Sequence, residues 1–105
     1  WRGEGIAFED DPSVPMHLMT ADCIGTYEFM PDETYKVTGF CTYTDRDGDK
    51  AFLKWWDNSD MEEGRTEFIG GTGRYAGATG EGTYTGQELT DTLVSFEHKY
   101  VIELP

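Results

Sequence analysis

No stretch of this 105-residue chain approaches the ~20 apolar residues of a membrane-spanning helix. Positive charge is scarce: eight Lys and Arg stand against 21 Asp and Glu, a formal net charge of −13. A field of that sign repels phosphates, which argues against nucleic acid and anionic membrane surfaces as partners. It leaves cationic, neutral or apolar molecules, or simply a solvated acidic surface. There are only two His and two Cys. No CxxC spacing occurs and no His lies near either Cys in sequence, so a zinc site or a catalytic thiol is poorly supported. Leu is scarce and no segment carries a helical period. No signal peptide is visible; Trp1 in place of Met fits a processed or trimmed N-terminus and says nothing about targeting.

What is present favours strands. Three Trp, six Tyr and six Phe accompany 13 Gly and many Thr, a composition of pleated, turn-rich structure. The length suits one domain, 1–105, with a thin core. A short first strand is expected around Gly5–Phe8, then an acidic loop held irregular by Pro12 and Pro15. A long strand is expected from about His17 to Phe29, and its partner from about Thr34 to Thr44. A register in which paired residue numbers sum to 64 sets Glu28 against Lys36, Thr26 against Thr38, Gly25 against Gly39 and Cys23 against Cys41. It puts Cys23, Tyr27, Val37, Cys41 and Tyr43 on one face. Ile24 and Phe40 fall awkwardly on the charged outer face.

Asp45-Arg46-Asp47-Gly48-Asp49 reads as a hairpin tip with Gly48 in the left-handed conformation. Further strands follow at Lys50 to Asp57, Arg65 to Ile69 and Ala78 to Thr85. The last, from about Thr92 to Leu104, alternates cleanly, with Val94, Phe96, His98, Tyr100 and Ile102 on its apolar face. The fold class expected is therefore all-β, a small antiparallel β-barrel of about seven or eight strands.

Gly70 to Gly86 reads GGTGRYAGATGEGTYTG. It resembles the glycine-rich segment of the allene oxide cyclase and dirigent superfamily, where a GGTG-(Lys/Arg)-aromatic-x-G pattern joins two barrel strands. The patterns Cys23-x-Gly25, Gly39-x-Cys41 and Asp45-x-Asp47-Gly48-Asp49 likewise look like small bacterial members of that group. The resemblance implies an eight-stranded antiparallel barrel whose hydrophobic lumen holds a flexible small molecule in one shape. It covers a loop and its flanks and assigns no catalytic residue.

Two motif readings are set aside. The glycine segment lacks the strand–turn–helix unit of a dinucleotide site. Relative to a calcium loop, Gly48 falls at the fourth position instead of the sixth, and Trp56 stands at the twelfth. No metal and no cofactor are therefore expected. Cys23 and Cys41, directly opposed, are expected to form a disulfide in an extracytoplasmic protein; two buried thiols in a cytosolic one is the alternative.

His98 carries the functional question. An inward imidazole suits proton transfer, with Tyr100 as the neighbouring hydroxyl. A lone inward His is more often a hydrogen-bonded core residue. Tyr27, Tyr43, Trp55, Tyr84 and Phe96 are the residues expected to line a ligand space, and His17 joins them if its strand alternates without a break. Ordinary core packing is the alternative for most of these aromatics.

The expectation is thus a barrel that binds a small apolar or phenolic molecule, with cofactor-independent isomerase, cyclase or lyase chemistry if His98 and Tyr100 act on it. The alternative is a non-catalytic binding or interaction protein, secreted or periplasmic. Homo-oligomerisation is left open.

Overall fold

In a computed structural model covering residues 1–105, the chain forms seven antiparallel strands and a single 3-10 turn. The strands are β1 (Arg2–Ala7), β2 (Met19–Phe29), β3 (Tyr35–Thr44), β4 (Lys50–Asn58), β5 (Gly64–Gly71), β6 (Gly80–Glu88) and β7 (Val94–Tyr100). They pair strictly in chain order, so the sheet is a simple meander. It curls into a half-barrel: β1 pairs only with β2 and β7 only with β6, which leaves two free edges instead of a closed ring. No helix is long and apolar enough to cross a membrane.

The β2–β3 hairpin has the register in which residue numbers sum to 64, from Thr20↔Thr44 to Phe29↔Tyr35. Its tip is set by Asp32, which accepts hydrogen bonds from the Thr34 amide and hydroxyl. Cys23 and Cys41 are joined by a disulfide across the strand pair, Cα to Cα 4.1 Å. Ile24 and Phe40 lie side by side on the convex face, 62% and 54% exposed.

The concave face carries the core. Met19, Val37, Cys41, Ala51, Leu53, Trp55 and Phe68 are buried there by period-two alternation along β2 to β5. Burying a side chain such as Phe68 contributes roughly 1.5–3 kcal/mol. Trp55 fits because of the facing pair Gly25 and Gly39: a Cβ on either residue would come within 2.6 Å of the indole ring. Two glycines that read from sequence only as a matched pair are the floor under a tryptophan.

Three expectations need correction. His17 does not belong to the second strand, which starts at Met19; it sits in the preceding loop, where Nδ1 accepts the Glu9 amide at 3.0 Å. The pair of inward histidines is therefore absent. The last strand stops at Tyr100, and only an isolated bridge between Thr79 and Glu103 follows. The apolar face of β7 is also sheltered only at its lower end: His98 and Tyr100 are half-buried, whereas Phe96 is 55% exposed.

Candidate functional site: the concave face

The meander sorts its loops into two groups. The 8–18, 45–49 and 72–79 connections lie at one end of the half-barrel, and the β2–β3, β4–β5 and β6–β7 tips at the other. The first end is closed by packing and hydrogen bonds. The second is open and aromatic.

At the closed end, Asp45 organises the β3–β4 turn. One carboxylate oxygen accepts the Asp47 and Asp49 amides at 2.9 and 3.0 Å, and the other accepts the Tyr75 hydroxyl at 3.0 Å. Gly48 has φ of 87°, the left-handed geometry the turn requires. The glycine-rich segment delivers the rest of the lock. Its 3-10 turn, Gly73–Tyr75, buries Tyr75 and sets Arg74 across Asp45, Asp47 and Asp49, with contacts of 2.5–3.2 Å. Burial pushes the Asp45 carboxyl up, but Tyr75, the two amides and Arg74 outweigh it and hold the group below its ordinary value. The sequence identified the turn; it did not reveal that the three aspartates share one arginine.

Also at this end, Tyr100 donates its hydroxyl to a Glu9 carboxylate oxygen and lies 3.4 Å from Met16 Sδ. Burial raises the Tyr100 phenol, and the hydrogen bond to Glu9 raises it further. Tyr43, half-buried nearby, is raised by desolvation and then by the Glu9 charge.

His98 and Tyr100, the expected catalytic pair, do meet: their rings are 4.8 Å apart. Their polar ends face different partners. His98 Nε2 hydrogen-bonds Thr66 Oγ1 at 2.7 Å across Gly82, where a Cβ would come within 2.8 Å of both atoms. Burial alone lowers the His98 pKa to about 4, so the ring is neutral near pH 7. A base that weak is a poor proton acceptor, and the Tyr100 hydroxyl is already given to Glu9.

At the open end the aromatics form a continuous belt. Trp1 meets Trp55 edge-on at 5.6 Å, Trp55 meets Tyr84 at 6.3 Å, and Tyr84 meets Phe96 at 6.0 Å. The belt crosses the concave face from β1 to β7. Tyr27 stacks on Phe29 at 5.8 Å and tilts against Tyr35 at 6.3 Å, extending it up the β2–β3 hairpin. Trp1, Tyr27, Phe29 and Phe96 are all exposed, although they lie on the face that buries the core lower down. Trp55 Nε1 is buried with no hydrogen-bond partner in the protein.

Of the expected ligand-lining residues, Tyr27, Trp55, Tyr84 and Phe96 thus fall together at the open end, whereas Tyr43 belongs to the closed end with Glu9 and Tyr100. Trp1, Phe29, Tyr35 and Asp57 share the open end and were not read from the sequence. Period-two alternation through Trp55, Trp56 and Asp57 is the signal that places Asp57 inside. Two open hollows elsewhere are polar, one around Asp45, Asp47 and Arg74, the other around Asp22, Thr42 and Lys50; neither touches His98.

Comparison with protein-family models, curated proteins and solved structures finds no match to this chain.

Proposed function

We propose that the protein is a non-catalytic binding module that holds a flat apolar or phenolic small molecule in the aromatic cleft at the open end of the half-barrel. The observation that carries this reading is the belt Trp1–Trp55–Tyr84–Phe96, which is left partly exposed where the two sheet edges do not meet. Contiguous exposed aromatics are costly to solvate and mark binding surfaces. Rings held edge to face by their neighbours present a preformed surface, so little ordering entropy opposes binding. Binding is favoured over chemistry because His98 is neutral, weakly basic and tied to Thr66, and Tyr100 is tied to Glu9. The disulfide supports a working compartment outside the reducing cytosol, as a secreted or periplasmic protein.

Isothermal titration with 1-naphthol tests the reading. Measurable saturation is expected for the wild type, with affinity roughly 2–10-fold weaker for Phe96→Ala, in keeping with the loss of one aromatic contact. No saturation at millimolar 1-naphthol, or turnover of an unsaturated phenolic substrate abolished by His98→Gln, would replace binding with the enzymatic alternative or with neither.

A further inference from the structure

Along β2 to β5 the concave face carries one carboxylate. β4 alternates, with Trp55 buried inside and Lys54 exposed outside over the outward Trp56, so Asp57 shares the concave face with Trp55. Its β3 partner is the buried Val37. On the β5 side Gly64 offers no side chain. A Cβ there would lie 2.1 Å from the Tyr84 ring and 2.6 Å from its hydroxyl oxygen, so the Tyr84 phenol lies over Gly64 on the Asp57 side of the cleft. Burial and then the Asp57 charge raise the Tyr84 phenol. At Tyr27, burial, Tyr35 and Asp57 act in the same direction. Asp57 therefore stands among Tyr27, Tyr35, Trp55 and Tyr84.

No cationic side chain pairs with it. The ion pairs of the protein use only Arg2 and Arg74, and Asp57 Oδ1 accepts only the adjacent Asn58 amide, at 2.7 Å. The loops around the open end add negative charge: Asp32 and Glu33 at one tip, Asp60, Glu62 and Glu63 at the next, Asp91 at the third.

The geometry points to an organic cation as the occupant, an alkylammonium or quaternary ammonium group on an apolar or aromatic body, with the charge held by Asp57 and the faces of Tyr27, Tyr35 and Tyr84. Ring faces carry negative quadrupole potential and attract a weakly hydrated cation, and a carboxylate in the same site supplies the full counter-charge. The overall charge of −13 raises the local concentration of such a ligand. This assignment rests on the aromatic cleft being the binding site and names its ligand class.

The probes are benzyltrimethylammonium, neutral benzyl alcohol and 1-naphthol, titrated into wild type, Asp57→Asn and Asp60→Asn. The wild type is expected to bind the cation at least about tenfold more tightly than benzyl alcohol. Asp57→Asn keeps the Oδ1 acceptor for Asn58, and is expected to remove most of that preference, with a much smaller change in 1-naphthol affinity. Asp60→Asn removes the same charge from the exposed loop and is expected to change the preference less than about twofold. Equal losses in the two variants would show diffuse attraction and overturn the assignment. A preference as large in Asp57→Asn as in the wild type would also overturn it. Binding of 1-naphthol without any preference for the cation removes the assignment alone; failure of all three probes removes the cleft reading with it. Should Asp57→Asn not fold, the wild-type Asp57 carboxylate carbon signal is followed by NMR: a saturable shift with benzyltrimethylammonium that benzyl alcohol does not produce supports the assignment, and no such shift overturns it.

Discussion

The hydroxyl of Tyr100 and the carboxylate of Glu9, 91 residues apart in the chain, are hydrogen-bonded across the gap between the two ends of the sheet. No β1–β7 ladder exists, so this bond and the neighbouring Met16 contact tie the last strand to the first loop. The closed end of the half-barrel depends on them. Tyr100→Phe keeps the ring against Phe68 and removes only the donor. A hydrogen bond to a charged acceptor contributes about 1.5–3 kcal/mol. Urea denaturation is expected to show a loss of that size, and Glu9→Gln a smaller one. A Tyr100→Phe protein as stable as wild type would mean that the edges are held by packing alone.

His98 makes stability depend on pH in a defined window. Its folded pKa of about 4 lies below the ordinary 6.5. Between these values the unfolded chain binds the proton and the folded protein does not, so lowering the pH favours unfolding. The contribution is complete above pH 6.5 and falls progressively towards pH 4, by about 3 kcal/mol at most. The His98→Gln variant is expected to lose this component, seen as a flatter stability profile between pH 6.5 and 4. An unchanged slope in the variant would assign the dependence to other groups.

Asp45 acts at lower pH. Its folded pKa is below the ordinary 3.8, so its stabilising effect is present above that value and is lost as the pH falls through the depressed one. Arg74 already spans the three carboxylates of the turn. Calcium at micromolar concentration is therefore expected to leave the melting temperature unchanged. A strong rise, lost in Asp47→Ala, would identify the turn as a cation site.

Reduction of the Cys23–Cys41 bond opens a loop of 18 residues. In the chain-entropy description that costs roughly 3 kcal/mol. A matching fall in the denaturation midpoint is expected on adding reductant, and none in the Cys23→Ala/Cys41→Ala double variant. Two titratable thiols in unreduced, denatured protein would contradict the bridge itself.

What could be read from the sequence was local. The β2–β3 register was legible because an ion pair, a Thr pair, a Gly pair and the two Cys all satisfy one pairing. The Gly48 turn and the alternation of β7 were legible for the same reason: neighbours in sequence decide them. The position of His17 was not, since the 8–18 loop has no period and is placed by contacts made elsewhere, Glu9 with Tyr100 and Met16 beneath it. The openness of the sheet was hidden too, because edge closure depends on how strands at opposite ends of the chain meet. Tyr27, Trp55, Tyr84 and Phe96 could be named as inward aromatics from alternation, but alternation is silent on depth. Only the three-dimensional curl separates a buried Phe68 from an exposed Phe96 on the same face.

The tryptophans allow the central claim, that the concave aromatic cleft is the binding site, to be read directly. Trp1 and Trp55 lie in the cleft, whereas Trp56 lies on the convex face under Lys54. Their three indole N–H groups give separate signals in a proton–nitrogen correlation spectrum. Titration with 1-naphthol is expected to move the Trp1 and Trp55 indole signals in a saturable manner and to leave Trp56 in place. Movement of Trp56 alone, or no movement of any of the three at saturating ligand, would contradict it.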